Sequence, residues 1–453
     1  MSLNLNINSF FAVLLCFMLT SCQEKPDLVR LLTLNPGHFH AALVQKTMIA
    51  GIDSTVYVYA PTGKDLEWHL GRIEGYNTRA ENPTEWKTEV YSGADFLDRM
   101  LQERKGNVVV LAGNNRNKSN YIARSIESGL DVLADKPMVI EPEQLEVLRS
   151  SFALAEKNGQ LLYDIMTERY EITTILQREL SMIPEIFGEW QKGSQEAPAV
   201  VKESVHHFYK NVSGAPLVRP AWFMDVRQQG EGLVDVTTHL VDLVQWTCFP
   251  EQVLQFDRDV HLLDAAHWAT ELTRSQFSAV TQLSDFPSDF ESLKVNDSTI
   301  AVYCNGSIDY TLRGIHARVK VDWAYAAGEG RGDTHYSHLM GTRARLVIRQ
   351  GAEQNFKPVL YIEPVAGSDL KLMESAFTGI QKKYPGVALK SMESGWEVVI
   401  PKEYHNGHEA HFAQVLETFL KYRADGKLPE WERAGMLTKY ELLMRSLELV
   451  RPK

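Results

Sequence analysis

Apolar and polar positions follow two rhythms along this chain. From residue 28 to about 164, short apolar runs alternate with stretches of helical periodicity. Residues 29–34 (VRLLTL) predict a strand and 38–50 an amphipathic helix. Residues 55–60 (TVYVYA) read as a second strand, rich in β-branched and aromatic side chains; 87–91 form a weaker third, followed by a helix-like 94–103. Residues 107–112 (NVVVLA) make a nearly continuous apolar run of the kind buried on both faces in parallel sheets. Residues 118–128 are helical in pattern, with Gly129 as C-cap. A short strand at 131–134 ends at Asp135-Lys136-Pro137, a helix over 143–158 is stopped by Gly159, and 160–164 closes the series. Strands and helices alternating at this size predict an α/β, doubly wound parallel sheet.

Beyond residue 166 the rhythm changes. Extended segments at 200–208, 316–323, 344–349 and 397–400 are separated by long irregular connections, which suits an α+β domain: an antiparallel sheet with helices on one face. Residues 408–422 and 432–450 read as two closing helices, and the chain shows neither internal repeat nor low-complexity tract. The expected division is a leader over 1–21, a first domain over 22–165 and a second over 166–453.

The leader rests on residues 10–19 (FFAVLLCFML), an apolar run too short to span a bilayer, followed by Leu19-Thr20-Ser21-Cys22 and a polar stretch. It resembles a bacterial lipoprotein signal, which makes Cys22 the lipidated first mature residue and the protein an exported one, periplasmic or tethered to the outer membrane. The departure is that residues 1–9 carry no Lys or Arg; the alternative is a buried N-terminal element. A net charge of -11 argues against nucleic acid or a lipid surface as partner, leaving the Cys22 anchor as the membrane contact. Cys248 and Cys304 are either one disulfide or two buried thiols. With no CxxC pair, and with His405, His408 and His411 spread around a helix, no metal site is expected.

Ligands of an open parallel sheet bind beyond the carboxyl ends of its strands, so those ends carry the candidate chemistry. After the first comes Asn35-Pro36-Gly37-His38-Phe39-His40, where a dinucleotide site normally has GxGxxG. After the second, Ala60-Pro61-Thr62 lacks the ribose-reading acid. After the fourth and fifth come Asn114-Asn115 and Asp135-Lys136-Pro137; a lysine held before proline at a strand end can exchange a proton with a substrate hydroxyl. A hundred residues on, Asp235, His239 and Asp242 recur at i, i+4 and i+7 on one helical face, with a carboxylate one turn from an imidazole to fix its tautomer. Asp242 reads as structural. His206 and His207 lie on a predicted strand with rings to opposite sides, so that His207 can reach a substrate cleft. The glycine-rich 328–335 (GEGRGDTH) reads as a cleft-lining loop with Arg331 and His335 as candidates.

Taken together, these motifs resemble the Gfo/Idh/MocA oxidoreductases. Asp135-Lys136-Pro137 matches that family's Glu-Lys-Pro signature, and residues 230–239 match its glycine-rich lead into Asp-x-x-x-His, with Trp222 and Asp225 upstream. Asn115 matches the asparagine of its Thr-Pro-Asn turn, and 167–170, with Arg169, its arginine–aromatic segment. The resemblance covers residues 28–246 clearly and implies a Rossmann-type domain plus an open, mostly antiparallel sheet. It implies hydride transfer between NAD or NADP and a hydroxyl of a small carbohydrate or polyol, with His239 as base, Lys136 polarising the oxygen and Asp235 orienting. It also implies a homo-oligomer.

The cofactor candidates are then Gly37, His38, Phe39, His40, Thr62, Asn114, Asn115, Asp135, Lys136 and Pro137, and the substrate candidates Arg169, His207, Trp222, Asp225, Arg331 and His335. Two departures stand out. Only the last glycine of the fingerprint survives, as Gly37, and the missing acid lets Thr62 and Lys64 meet a 2′-phosphate, which leaves NADP or NAD open. Three readings follow: the oxidoreductase, an enzyme that keeps its cofactor tightly bound and cleaves or epimerises a glycoside, and a non-catalytic carbohydrate-binding lipoprotein.

Overall fold

The computed structural model describes residues 28–451 apart from 213–214 and 329–330. The leader and Cys22 lie outside the described residues, as do two positions of the 328–335 loop. Among the described residues no helix is long and apolar enough to cross a membrane.

Six strands, β1 (Leu31–Leu34), β2 (Thr55–Ala60), β3 (Lys87–Ser92), β4 (Val108–Leu111), β5 (Asp131–Asp135) and β6 (Leu162–Ile165), run parallel in the order β3-β2-β1-β4-β5-β6. The central strands, LLTL and VVVL, are buried along their whole length because helices cover both faces. The chain builds one edge from β1 and returns at β4 to build the other, so a crevice opens between their carboxyl ends. Gly129 and Gly159 end their helices at positive φ.

Two helices differ from expectation. The predicted helix over 38–50 shrinks to His40–Leu43. Its next carbonyls are taken from outside, since Trp86 Nε1 donates to Gln45 at 2.6 Å and Arg79 to Lys46 at 2.7 Å. A helix at Lys64–Thr78 has no counterpart in the pattern reading; it buries only Leu66, His69 and Ile73, too narrow a stripe to show as periodicity.

The second sheet has ten strands in the order Val260–Thr273, Thr299–Leu312, Ile315–Ala326, β7 (Val200–Tyr209), Thr334–Met340, Ala344–Arg349, Val359–Pro364, Gly395–Val399 and Ala388–Met392, with Lys294–Asn296 beside Thr299–Leu312. Every pairing is antiparallel except β7 with Ile315–Ala326. The two longest strands fall where irregular connections were expected. Val260–Thr273 is an edge strand that buries little of either face, so it shows no alternation. Cys248 and Cys304 are free and buried, and burial pushes both thiols up to about 12.

A buried charge network ties the pieces together. Arg169, just past β6, donates to Asp242 through Nε (2.6 Å) and Nη2 (2.7 Å) and to Glu432 through Nη1 (2.9 Å). Lys439, fully buried on the closing helix Glu430–Val450, reaches Asp164 of β6 at 2.7 Å and Asp242 at 2.8 Å. Two cations thus face three carboxylates with almost no water, an arrangement that tolerates no missing partner. Lys439→Ala is expected to lower stability by about 3–5 kcal/mol, read as a shift in the urea unfolding midpoint. A loss below about 1 kcal/mol would show that the network does not join the closing helix to the sheets.

Candidate active site

The site forms where β5 ends against the turn that precedes the helix Thr237–Cys248. Gly232 lets this turn press onto the second sheet, since a Cβ there would lie 2.2 Å from the Cys304 carbonyl oxygen. The turn carries Asp235, whose Oδ1 accepts from Lys136 Nζ at 2.6 Å, and both side chains are buried. Burial alone would raise the Asp235 carboxyl, but the Lys136 ammonium outweighs it and holds the group below the usual carboxylate range.

His239 follows in the first turn of the helix. The expected Asp235–imidazole partnership is not what forms: Asp235 precedes the helix and turns to Lys136, and His239 Nδ1 has no hydrogen-bond partner among the described residues. Burial, helped by the Lys136 charge and opposed by Glu168, pushes His239 down to about 3, so its ring is neutral at ordinary pH. His335, on Thr334–Met340, is pushed down to about 4 by burial and by Lys202.

Asp135 accepts from His40 Nδ1 at 2.9 Å, while its backbone carbonyl accepts from Lys118 Nζ at 2.8 Å. Its carboxyl is buried, yet the neighbouring imidazoles and Lys118 hold it far below the ordinary value. Pro137 follows Lys136 through a cis bond. Asn114 Nδ2 donates to Gln228 at 2.6 Å and Asn115 Nδ2 to the Gln229 carbonyl at 2.7 Å, leaving Asn115 Oδ1 buried and unpartnered among the described residues.

Several substrate candidates have other employment. Every guanidinium nitrogen of Arg169 is taken by Asp242 and Glu432. Asp225 is fully buried, caps the short helix Val226–Gln229 and is bound by Arg227 and Gln228. Arg331 is exposed, with its guanidinium 5.9 Å from the Phe356 ring centroid. His207 contacts Asp333 at 3.1 Å, and His206 reaches the same carboxylate at 3.3 Å despite facing the other side. Asp333 precedes the strand beside β7, where it stands level with both histidines. Thr62 is exposed beyond β2.

Trp222 lies over the first loop, donating from Nε1 to Asp65 at 2.8 Å; a Cβ on Gly37 would meet that carboxylate at 2.8 Å and the ring at 3.2 Å. The Gly37 and His38 amides both donate to the Ala112 carbonyl at 3.2 Å. These two amides are therefore not free to hold pyrophosphate as those of a glycine fingerprint do. At the reactive end, however, the residues fit a nicotinamide dinucleotide. Two buried polar atoms, Asn115 Oδ1 and His239 Nδ1, lack protein partners beside a charged lysine at the crevice where such ligands sit.

Pattern reading missed Glu168, and His408, exposed at the start of its helix, was not among the site candidates. His408 Nδ1 lies 3.3 Å from Glu168 Oε1, and this imidazole, with His239 and His335, overcomes burial to keep the Glu168 carboxyl far below its ordinary range. Position alone offered a signal, because Glu168 sits just beyond the carboxyl end of β6.

Residues 176–451 match a family model described as "Putative oxidoreductase C terminal domain". The chain belongs to this family. Among the solved structures similar to this oxidoreductase is a "putative oxidoreductase" from Parabacteroides merdae ATCC 43184, 52% identical, covering 94% of this chain and 98% of that one with a TM-score of 0.91. Two more distant structures share the fold, a parallel six-stranded sheet joined to a mostly antiparallel one. KijD10, a 3-ketoreductase from Actinomadura kijaniata solved with NADP and TDP-benzene, is 14% identical over 91% of this chain and 95% of its own, at TM-score 0.54. Biliverdin reductase from Synechocystis sp. PCC 6803, solved with biliverdin and NADP+, is 12% identical over 93% and 99%, at TM-score 0.55. Among curated proteins none matches.

Because His239 is held neutral, the acid limb of kcat/KM is expected well below pH 6.5: activity needs the unprotonated ring and falls only as pH drops through the lowered value. A pH–rate profile between about pH 4 and 8 checks this. A limb at the ordinary histidine value would mean the ring is hydrated in the working enzyme.

Proposed function

We propose that this oxidoreductase uses NAD or NADP to oxidise or reduce a hydroxyl-bearing carbon of a small carbohydrate or polyol, as an exported lipoprotein anchored through Cys22. The observation that carries the reading is the buried Lys136–Asp235 pair beside an unpartnered, neutral His239.

Lys136 has protons to donate and a carboxylate to keep it charged, so it can hydrogen-bond the substrate oxygen and stabilise negative charge developing there. His239, neutral at working pH, accepts the hydroxyl proton. The carboxylate of Glu168 then stabilises the imidazolium that results, since it already favours the charged ring. Asp235 fixes the position and charge of Lys136. Asn115, Asp135 and Gly37 line the crevice that would hold the dinucleotide. When bound, that cofactor supplies the hydride acceptor or donor. Support for NADP comes from the two distant fold relatives solved with it.

A second reading keeps the cofactor tightly bound, with Asn115 and the Lys136–Asp235 pair holding its reactive end. That is the condition for a redox-neutral variant of the reaction, in which transient oxidation allows a glycoside to be cleaved or epimerised.

His239→Ala is expected to cut turnover roughly 10²- to 10⁴-fold while leaving nucleotide affinity nearly unchanged. The assay follows nicotinamide absorbance with a panel of sugars and polyols. Unchanged turnover would remove the proposed base.

A further inference from the structure

Next to the proton-handling pair stands a second cluster that takes no part in the proton transfer above, although Asp135 borders the same crevice. Where the fingerprint glycines are missing, the first loop carries His38-Phe39-His40, and the end of β5 brings Asp135 against it. We propose that His38, His40 and Asp135 form a binding site for one divalent metal ion of the zinc type, held by one nitrogen of each imidazole and a carboxylate oxygen. The expectation of no metal rested on the cysteines and on the 405/408/411 histidines, and it left this trio unexamined.

The spacing suits an ion. The candidate ligand atoms all lie within 4.8 Å of one another. His40 Nδ1 is 2.9 Å and His38 Nδ1 3.7 Å from the same Asp135 Oδ2. Metal bonds of about 2.1 Å in tetrahedral directions put neighbouring ligand atoms roughly 3.4 Å apart, between those two values. Two imidazoles and one carboxylate are a donor set for Zn²⁺, Co²⁺ or Fe²⁺ rather than for Ca²⁺ or Mg²⁺.

Proton bookkeeping points the same way. An ion would take one lone pair from each imidazole in its neutral form. His40 can give its one ring proton to Asp135. His38 Nδ1 accepts from the His40 amide at 3.4 Å, a long bond that an ion would replace, and lies 3.7 Å from the Asp135 carboxylate, too far for a hydrogen bond. Two buried lone-pair carriers facing one another are stabilised by a cation between them. Binding needs only that the His40 proton move from Nδ1 to Nε2, with no change in total protons.

The surroundings supply the rest of a metal site. Lys118 holds the Asp135 backbone at 2.8 Å and so fixes the strand end that carries the carboxylate. Phe412 packs 4.7 Å from the His40 ring and excludes water. His38 also lines a cavity with Trp68, Arg72, Arg219 and Phe223.

The test needs neither nucleotide nor substrate, so its failure is distinct from failure of the proposed function. The full chain, stripped with a chelator and freed of it, is titrated with Co²⁺ and then Zn²⁺. Visible absorption and metal content after gel filtration are the readouts. One equivalent per chain is expected, with ligand-field absorption for Co²⁺, weakened roughly tenfold or more in His38→Asn and His40→Asn. Should His40→Asn fail to fold, His38→Asn decides alone, because His38 makes no side-chain hydrogen bond shorter than 3.4 Å. No stoichiometric binding by the natural chain overturns the site. So does binding unchanged in His38→Asn, or binding that His408→Asn abolishes and His38→Asn does not.

Discussion

Everything at this site depends on one buried ion pair, Lys136 with Asp235 at 2.6 Å. Its two halves come from the end of β5 and from the turn before the helix Thr237–Cys248, so it fixes the first sheet against the second domain. Removing both charges from water is costly, and the attraction across a short, dry gap offsets that cost only while the geometry holds. The contacts around it hold that geometry. Asn114 and Asn115 bind the segment at Gln228 and Gln229 on one side, and Arg169, Asp242, Glu432 and Lys439 lock the helix on the other. Arg169 and Asp225 therefore serve the site from beneath, although sequence motifs placed them among its ligands.

The same pair sets the chemistry of its neighbours. Burial, helped by the Lys136 ammonium, keeps His239 neutral, while Glu168 favours the ring once protonated. A base that is neutral before the reaction and stabilised after it is what removal of a hydroxyl proton demands. The arrangement recruits groups from four parts of the chain: the end of β5, the turn at Asp235, the segment after β6 and the closing helix His408–Ala424.

Much of this was legible in the residues. Apolar runs marked the inner parallel strands, because strands buried on both faces leave an unbroken hydrophobic signature, whereas the exposed edge strand β3 showed only weakly. Lys136 and His239 announced themselves through motif and spacing. What stayed hidden has physical causes. The edge strand Val260–Thr273 buries little, so no alternation records it, and the helix at Lys64–Thr78 shows only three buried positions. Spacing along a helix suggested that Asp235 serves His239, but a turn one residue too early sends the carboxylate to Lys136. Glu168 and His408 lie 240 positions apart, and only tertiary structure joins them.

The first loop is where this oxidoreductase departs furthest from the glycine fingerprint of a dinucleotide site. Its amides are bonded to Ala112, and Trp222 and Asp65 cover its single glycine, so a dinucleotide must be held mainly from its reactive end. Nucleotide content tests that most directly. The purified chain is denatured, its supernatant assayed for NAD and NADP, and the refolded or untreated chain titrated with both. One equivalent of nucleotide, released or bound, is the result the account requires. A chain that releases none and binds neither would contradict it.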